Sequence, residues 1–157
     1  MIWERSNRAD PRAVALADRH YSRQKPGSKQ FVPPGRCFVL YAKTATGEAV
    51  WVTSWPFAEY VKHAWAGAWV CSIFRNEGAG LASELIRQAV SATRAYYGDP
   101  PSLGMITFVL PSALRSTNPG ACFKYAGFRL CGAAKDGKPC LQLLPEDMPP
   151  PQPVGLL

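Results

Sequence analysis

Three groups of residues in this chain have types and spacings that could do chemistry. The first is Arg75-Asn76-Glu77-Gly78-Ala79-Gly80, between an apolar strand-like run and an amphipathic helix pattern. Glycines let a backbone approach an anion closely, and the positive end of a following helix favours the same negative charge. The second is the pair His20-Tyr21, side chains able to accept and donate a proton or to orient a reacting base. The third is a set of cations. Arg19, Arg23, Lys25, Lys29 and Arg36 fall in a stretch with no acid, and residues 115–138 add Arg115, Lys124, Arg129, Lys135 and Lys138 against Asp136 alone. A net charge of +7 distributed this unevenly suits a polyanionic partner.

Other chemistries lack their residues. The five cysteines (Cys37, Cys71, Cys122, Cys131, Cys140) form no C-x-x-C, and three lie in apolar runs where a free thiol packs as a small hydrophobe. With two histidines, His20 and His63, no metal site is expected. A zinc deaminase requires Pro-Cys-x-x-Cys, whereas Pro139-Cys140 runs into Leu141-Gln142-Leu143. Asp99-Pro100-Pro101-Ser102 lacks the final aromatic of an adenine methyltransferase motif and has no glycine-rich methyl-donor motif beside it; it reads as a loop. Cys71 and Ser72 alternate across a strand, so only one can face a cleft, and Cys71 is expected in the core.

The elements that must position these groups are those of one α/β domain. The chain has 157 residues, 47% hydrophobic and 18% charged, enough for a substantial core and too apolar for disorder. No apolar run approaches the ~20 residues of a membrane span, and the start has no long apolar stretch, so a cytoplasmic protein is expected. Asp10-Pro11 caps and starts a helix running to about Tyr21. A polar loop over 22–35 leads to a hairpin, 36–43 and 49–55, turning near Gly47. Residues 57–66 are ambiguous. A buried strand over 68–74 precedes the glycine loop, a helix spans 81–96, and a second buried strand spans 105–110. A short helix over 116–126, capped by Asn118, leads to a hairpin, 128–133 and 139–144, turning at Asp136-Gly137. The domain is expected to end at residue 144. Residues 145–157, with Pro at five of 13 positions, read as an extended or disordered tail.

The order strand, glycine loop, helix, strand, short helix, hairpin resembles the second half of the Gcn5-related N-acetyltransferases. That family's loop reads Arg/Gln-x-x-Gly-x-Gly/Ala, which Arg75 to Gly80 satisfies. Its Asn-x-x-Ala and helix-ending Gly-Phe correspond to Asn118-Pro119-Gly120-Ala121 and Gly127-Phe128. The resemblance implies the acyl-CoA N-acyltransferase fold, a mixed central sheet with flanking helices. It also implies acetyl-CoA or a related acyl-CoA, its pyrophosphate held by Arg75, Asn76, Gly78, Ala79, Gly80 and Leu81. The position of the usual catalytic tyrosine falls on Phe123, with Tyr125 nearby but expected on another helix face.

A narrower resemblance covers most of the chain. It rests on His20-Tyr21-Ser22-Arg23, Pro33-Pro34-Gly35-Arg36, Cys71 to Glu77, Thr107-Phe108-Val109 and Asn118 to Phe128. These blocks resemble the phage Mom-type DNA modification proteins, which convert adenine N6 in duplex DNA to a carbamoylmethyl derivative and so protect phage DNA from restriction. The resemblance implies double-stranded DNA as partner. It makes His20, Tyr21, Arg75, Asn118 and Tyr125 candidate catalytic residues, and Arg19, Arg23, Lys25, Lys29, Arg36, Arg115 and Lys124 candidate phosphate contacts. It leaves room for a redox metal such as iron, for which the sequence supplies no ligand set. Val109-Leu110-Pro111 departs from the relatives by carrying Leu110 where they place Asp.

Overall fold

The computed structural model describes residues 1–20, 35–110 and 120–155. A seven-stranded mixed sheet runs in the order β1-β2-β3-β4-β5-β7-β6. Its strands are β1 (Glu4–Ser6), β2 (Gly35–Lys43), β3 (Glu48–Pro56), β4 (Trp69–Glu77), β5 (Met105–Phe108), β6 (Arg129–Ala133) and β7 (Pro139–Leu143). Among the described residues three α-helices flank it: α1 (Pro11–Asp18), α2 (Ala82–Tyr97) and α3 (Ala121–Tyr125). The α/β class with a mixed central sheet is as the sequence predicts. Among the described residues no helix is long and apolar enough to cross a membrane.

Alternation along the strands builds two faces. On one, Leu40, Trp51, Trp69 and Cys71 pack against Leu85, Ile86, Ala89 and Val90 of α2 and against Phe123. On the other, Val39, Tyr41, Val50, Val52 and Ile73 bury Ala13, Leu16 and Ala17 of α1. Cys71 and Ile73 are two apart on one strand, yet they serve opposite faces. The reason is a bulge: Val52 faces Ile73 and Thr53 faces Cys71, so Ser72 is an extra residue in β4 that reverses its alternation.

Several boundaries differ from the sequence reading for identifiable reasons. Helix α1 ends at Asp18, not near Tyr21. Strand β4 continues through Arg75, Asn76 and Glu77, because Ala49 and Val50 of β3 pair with Asn76 and Arg75; the first half of the expected loop is therefore strand. Strand β1 has no apolar alternation to announce it and exists through pairing with Val39, Leu40 and Tyr41. The proline-rich segment is fastened along α2. Arg94 donates to the Pro149 carbonyl at 2.9 Å, Gln152 N–H to the Ser91 carbonyl at 3.0 Å, and Met148 is buried in the main core.

Candidate functional site

The parallel strands β4 and β5 pair only at Trp69–Met105 and Val70–Ile106. Beyond these two rungs they diverge, and the Thr107 hydroxyl spans the opening gap by donating to the Cys71 carbonyl at 2.9 Å. In the wedge lies a cavity of about 310 Å³, lined among others by His20, Ser72, Arg75, Asn76, Ala82 and Cys122. Phe74 and Phe123, edge to face at 5.9 Å, form an apolar wall.

The loop after β4 is held by side chains from two directions. Asn76 donates to the Gly80 carbonyl at 2.8 Å and accepts from the Ala79 amide at 3.0 Å. From the β2–β3 turn, the Thr46 hydroxyl donates to the Gly78 carbonyl at 2.6 Å and that of Thr44 to the Ala79 carbonyl at 3.0 Å. Asn76 thus positions the loop. The Ala79 amide, expected to point at a pyrophosphate, is already satisfied by Asn76. Helix α2 starts without a side-chain cap at Leu81, so the N–H groups of its first turn, beginning at the cavity-lining Ala82, have no partner within the helix. The Leu81 side chain itself is 69% exposed.

Gly78 adopts φ +90, and a Cβ there would sit 2.9 Å from the Thr46 carbonyl oxygen. Gly78→Ala is expected to cost about 1–3 kcal/mol of stability, seen as an earlier urea midpoint. Gly80 has no such constraint, its nearest neighbour being Leu85 Cδ2 at 3.8 Å. Only Gly80 therefore accepts a side chain without injury to the loop.

Arg75, on the α1 face of β4, donates to Glu77 Oε2 at 2.9 Å and to the Arg19 carbonyl at 3.2 Å. Arg19 forks onto the same carboxylate, at 2.7 and 2.9 Å. Glu77 thus pairs with both guanidiniums, leaving a net charge of +1 in the cluster beside the cavity, and the Arg19 guanidinium, then that of Arg75, holds its pKa below the usual carboxylate range. Burial, and secondarily the charge of Arg75, pushes His20 down to about 4 from 6.5. The imidazole is neutral at physiological pH. Cys122, also lining the cavity, is raised by burial and remains a thiol.

Of the residues singled out by sequence, His20, Arg75 and Asn76 line the cavity, and Gly78, Ala79 and Gly80 form the loop beside it. Tyr125 does not join them: it is 84% exposed on the outer side of α3, because the inward positions of that short helix are taken by Phe123 and Cys122. Lys124 is exposed on the same helix. Arg19 is bound to Glu77, and Arg36 lies at the opposite end of the sheet, paired with Trp55. Tyr21, Arg23, Lys25, Lys29, Arg115 and Asn118 lie outside the described residues. So do most of the expected 22–35 loop and residues 116–119 of the expected 116–126 helix; the described helix α3 begins only at Ala121, with Gly120 and not Asn118 at its N-cap, in the left-handed conformation that glycine accepts. Sequence reasoning missed the bulge at Ser72 and the pairing role of Glu77; the Arg75-x-Glu77 spacing is the one trace of the latter. Among the described residues no group of His, Cys, Asp and Glu side chains converges as metal ligands.

The fold and the cavity define an α/β protein with a ligand-sized wedge between two parallel strands. No protein-family model, curated protein or solved structure matches the chain.

Proposed function

We propose that this protein is an acyl-CoA-dependent enzyme with the acyl-CoA N-acyltransferase fold, and that it converts adenine N6 in double-stranded DNA to its carbamoylmethyl derivative, protecting phage DNA in the host cytoplasm from restriction. The observation that carries this reading is the wedge itself. A cavity opens where β4 leaves β5, with the α2 N-terminus and an arginine at its rim and a neutral imidazole within.

The residues fit the proposed donor. Arg75, Gly80 and the first turn of α2 would hold its pyrophosphate. On the β5 side, β4 has no strand partner beyond Val70 among the described residues, which leaves an edge suited to the amides of a pantetheine arm. When bound, the thioester would supply a two-carbon unit with coenzyme A thiol as leaving group; since attack on its acyl carbon alone gives N6-acetyladenine, the carbamoylmethyl product, in which N6 is bonded to a methylene carbon, also needs an ammonia-level nitrogen donor and a two-electron oxidant. Arg75 spends Nε on Glu77 and Nη1 on the Arg19 carbonyl, which leaves guanidinium N–H groups for an anion, and negative charge there would relieve part of the repulsion that depresses His20. His20 is then the better placed to take the proton from an exocyclic amine, which is a poor nucleophile without a base. Phe123 has no proton to give and serves as wall. The target adenine must leave the base stack to present N6.

Mass spectrometry of nucleosides from cells expressing the protein tests the reading. A modified deoxyadenosine is expected, and it should disappear with Gly80→Glu. Unmodified DNA together with acetylation of small amines or proteins would instead make this a conventional N-acetyltransferase. A protein that binds DNA but no acyl-CoA would be a non-catalytic DNA-binding module.

A further inference from the structure

Most arginines of the described residues are spoken for. Arg12 pairs with Glu4 and Asp10, Arg19 and Arg75 share Glu77, and Arg87 and Arg94 donate to the carbonyls of Ala126 and Pro149. Arg5, Arg8 and Arg36 have no carboxylate partner among the described residues; Arg129 also lacks one but stands on β6 at the far edge of the sheet.

Arg5 and Arg36 are both exposed, and both are fixed on rings. Their guanidinium carbons lie 4.7 and 5.7 Å from the centroid of the same Tyr96 ring. Arg36 is also 5.1 Å from the Tyr97 ring and 5.6 Å from that of Trp55. The rings are anchored in turn. Trp55 donates to the Gly67 carbonyl at 3.1 Å, Tyr97 to the Thr53 carbonyl at 3.3 Å, and Tyr96 stacks on Phe38 at 4.4 Å and 8°. Beside them Arg5, Ser6, Asn7 and Arg8 wall a hollow of about 130 Å³ against β2. A guanidinium held by its face keeps its N–H edge for an anion and loses little freedom on binding.

We propose that Arg5, Arg8 and Arg36 form a preorganised phosphate-binding surface that takes the backbone of duplex DNA, away from the cavity. The inference rests on the reading of DNA as substrate and adds where the duplex is gripped. Duplex is favoured over single strands because the aromatic faces are already covered by one another and by arginine, leaving no platform on which unpaired bases could stack. The surface lies at the β2-start and α2-end of the sheet, whereas the loop at Gly78 and Gly80 lies at the other end of the same strands, roughly 20 Å away at strand spacing.

The test is the combined variant Arg5→Gln, Arg8→Gln, Arg36→Gln, with fluorescence anisotropy of a labelled short duplex across a salt series. The log-log salt slope should become shallower by about 0.9 for each phosphate that is no longer neutralised, between about two and three units in all, with acyl-CoA affinity unchanged by calorimetry. The corresponding triple lysine variant, which keeps charge but not the planar fork, should retain most of the slope. If the wild type binds duplex and the glutamine variant keeps the full slope, this inference fails while the proposed function stands. If the wild type binds no duplex, both fail. Loss of binding to phosphatidylserine vesicles with an unchanged DNA slope would make the surface a membrane-binding one and overturn it.

Discussion

Gly80→Glu is expected to abolish acyl-CoA binding while leaving the thermal midpoint within about a degree or two of wild type. The position tolerates a side chain: its φ is not in the left-handed region, and a Cβ meets only Leu85, at 3.8 Å. A carboxylate there would stand at the uncapped start of α2, where the proposed pyrophosphate must approach. Like charges brought together in a site cost several kcal/mol, two orders of magnitude or more in Kd. Gly78→Glu is a poor substitute, since φ +90 and the Thr46 carbonyl make it a folding defect first. Calorimetry with acetyl-CoA and coenzyme A reads the effect. Unchanged affinity in a folded Gly80→Glu would remove the loop from the binding site.

His20→Gln should lower the yield of modified adenine on the order of a hundredfold or more, if the imidazole takes the proton from N6. Glutamine keeps hydrogen-bonding capacity without titrating near neutral pH. A second readout separates catalysis from packing. The folded His20 has a pKa of about 4 against 6.5 when unfolded, so between these values the unfolded chain holds a proton that the folded chain does not. Its contribution to stability is complete above pH 6.5 and is lost as pH falls to about 4, by linkage on the order of 1–2 kcal/mol for a half-buried group. His63, also lowered by burial, acts in the same direction, whereas Asp10, held at about 2 by the Arg12 guanidinium, acts only at lower pH. The His20→Gln protein should therefore show a flatter stability profile between pH 4 and 6.5, together with the loss of activity. A flatter profile with full activity would assign His20 to packing alone. Phe123→Tyr tests the complementary gain, placing a hydroxyl on the wall of the same cavity.

The sheet's central strands and α2 could be read from the chain because apolar periodicity reports burial, and these elements are buried by their neighbours. Trp69, Cys71 and Ile73 announce β4; Leu85, Ile86 and Val90 announce α2. What the pattern could not carry was pairing made by distant residues. Glu4-Arg5-Ser6 is polar throughout and is strand only because β2 offers an edge. Arg75-Asn76-Glu77 reads as loop because its residues are polar, yet β3 extends alongside it. The proline-rich segment lacks helical or strand periodicity, and its order comes from two hydrogen bonds to α2 and the burial of Met148. At the site, Arg75, Asn76 and His20 could be named because their types are suited to the chemistry. That Asn76 braces the loop, and that Glu77 occupies Arg75 and Arg19 together, depends on side-chain reach between α1 and β4 that residue spacing does not encode.

The two-rung junction between β4 and β5 also has a mechanical meaning. It splits the sheet into a four-stranded and a three-stranded leaf that share a narrow seam near Trp69 and Val70. From that seam β4 runs on to Glu77 as a lever roughly 20 Å long, at about 3.3 Å per residue. A rotation of about 5° at the seam would move the far tip by about 2 Å, a distance comparable to that separating a made hydrogen bond from a broken one. The width of the wedge at its rim is thus sensitive to packing at its apex, where Trp69 lies against Trp55 and Tyr97.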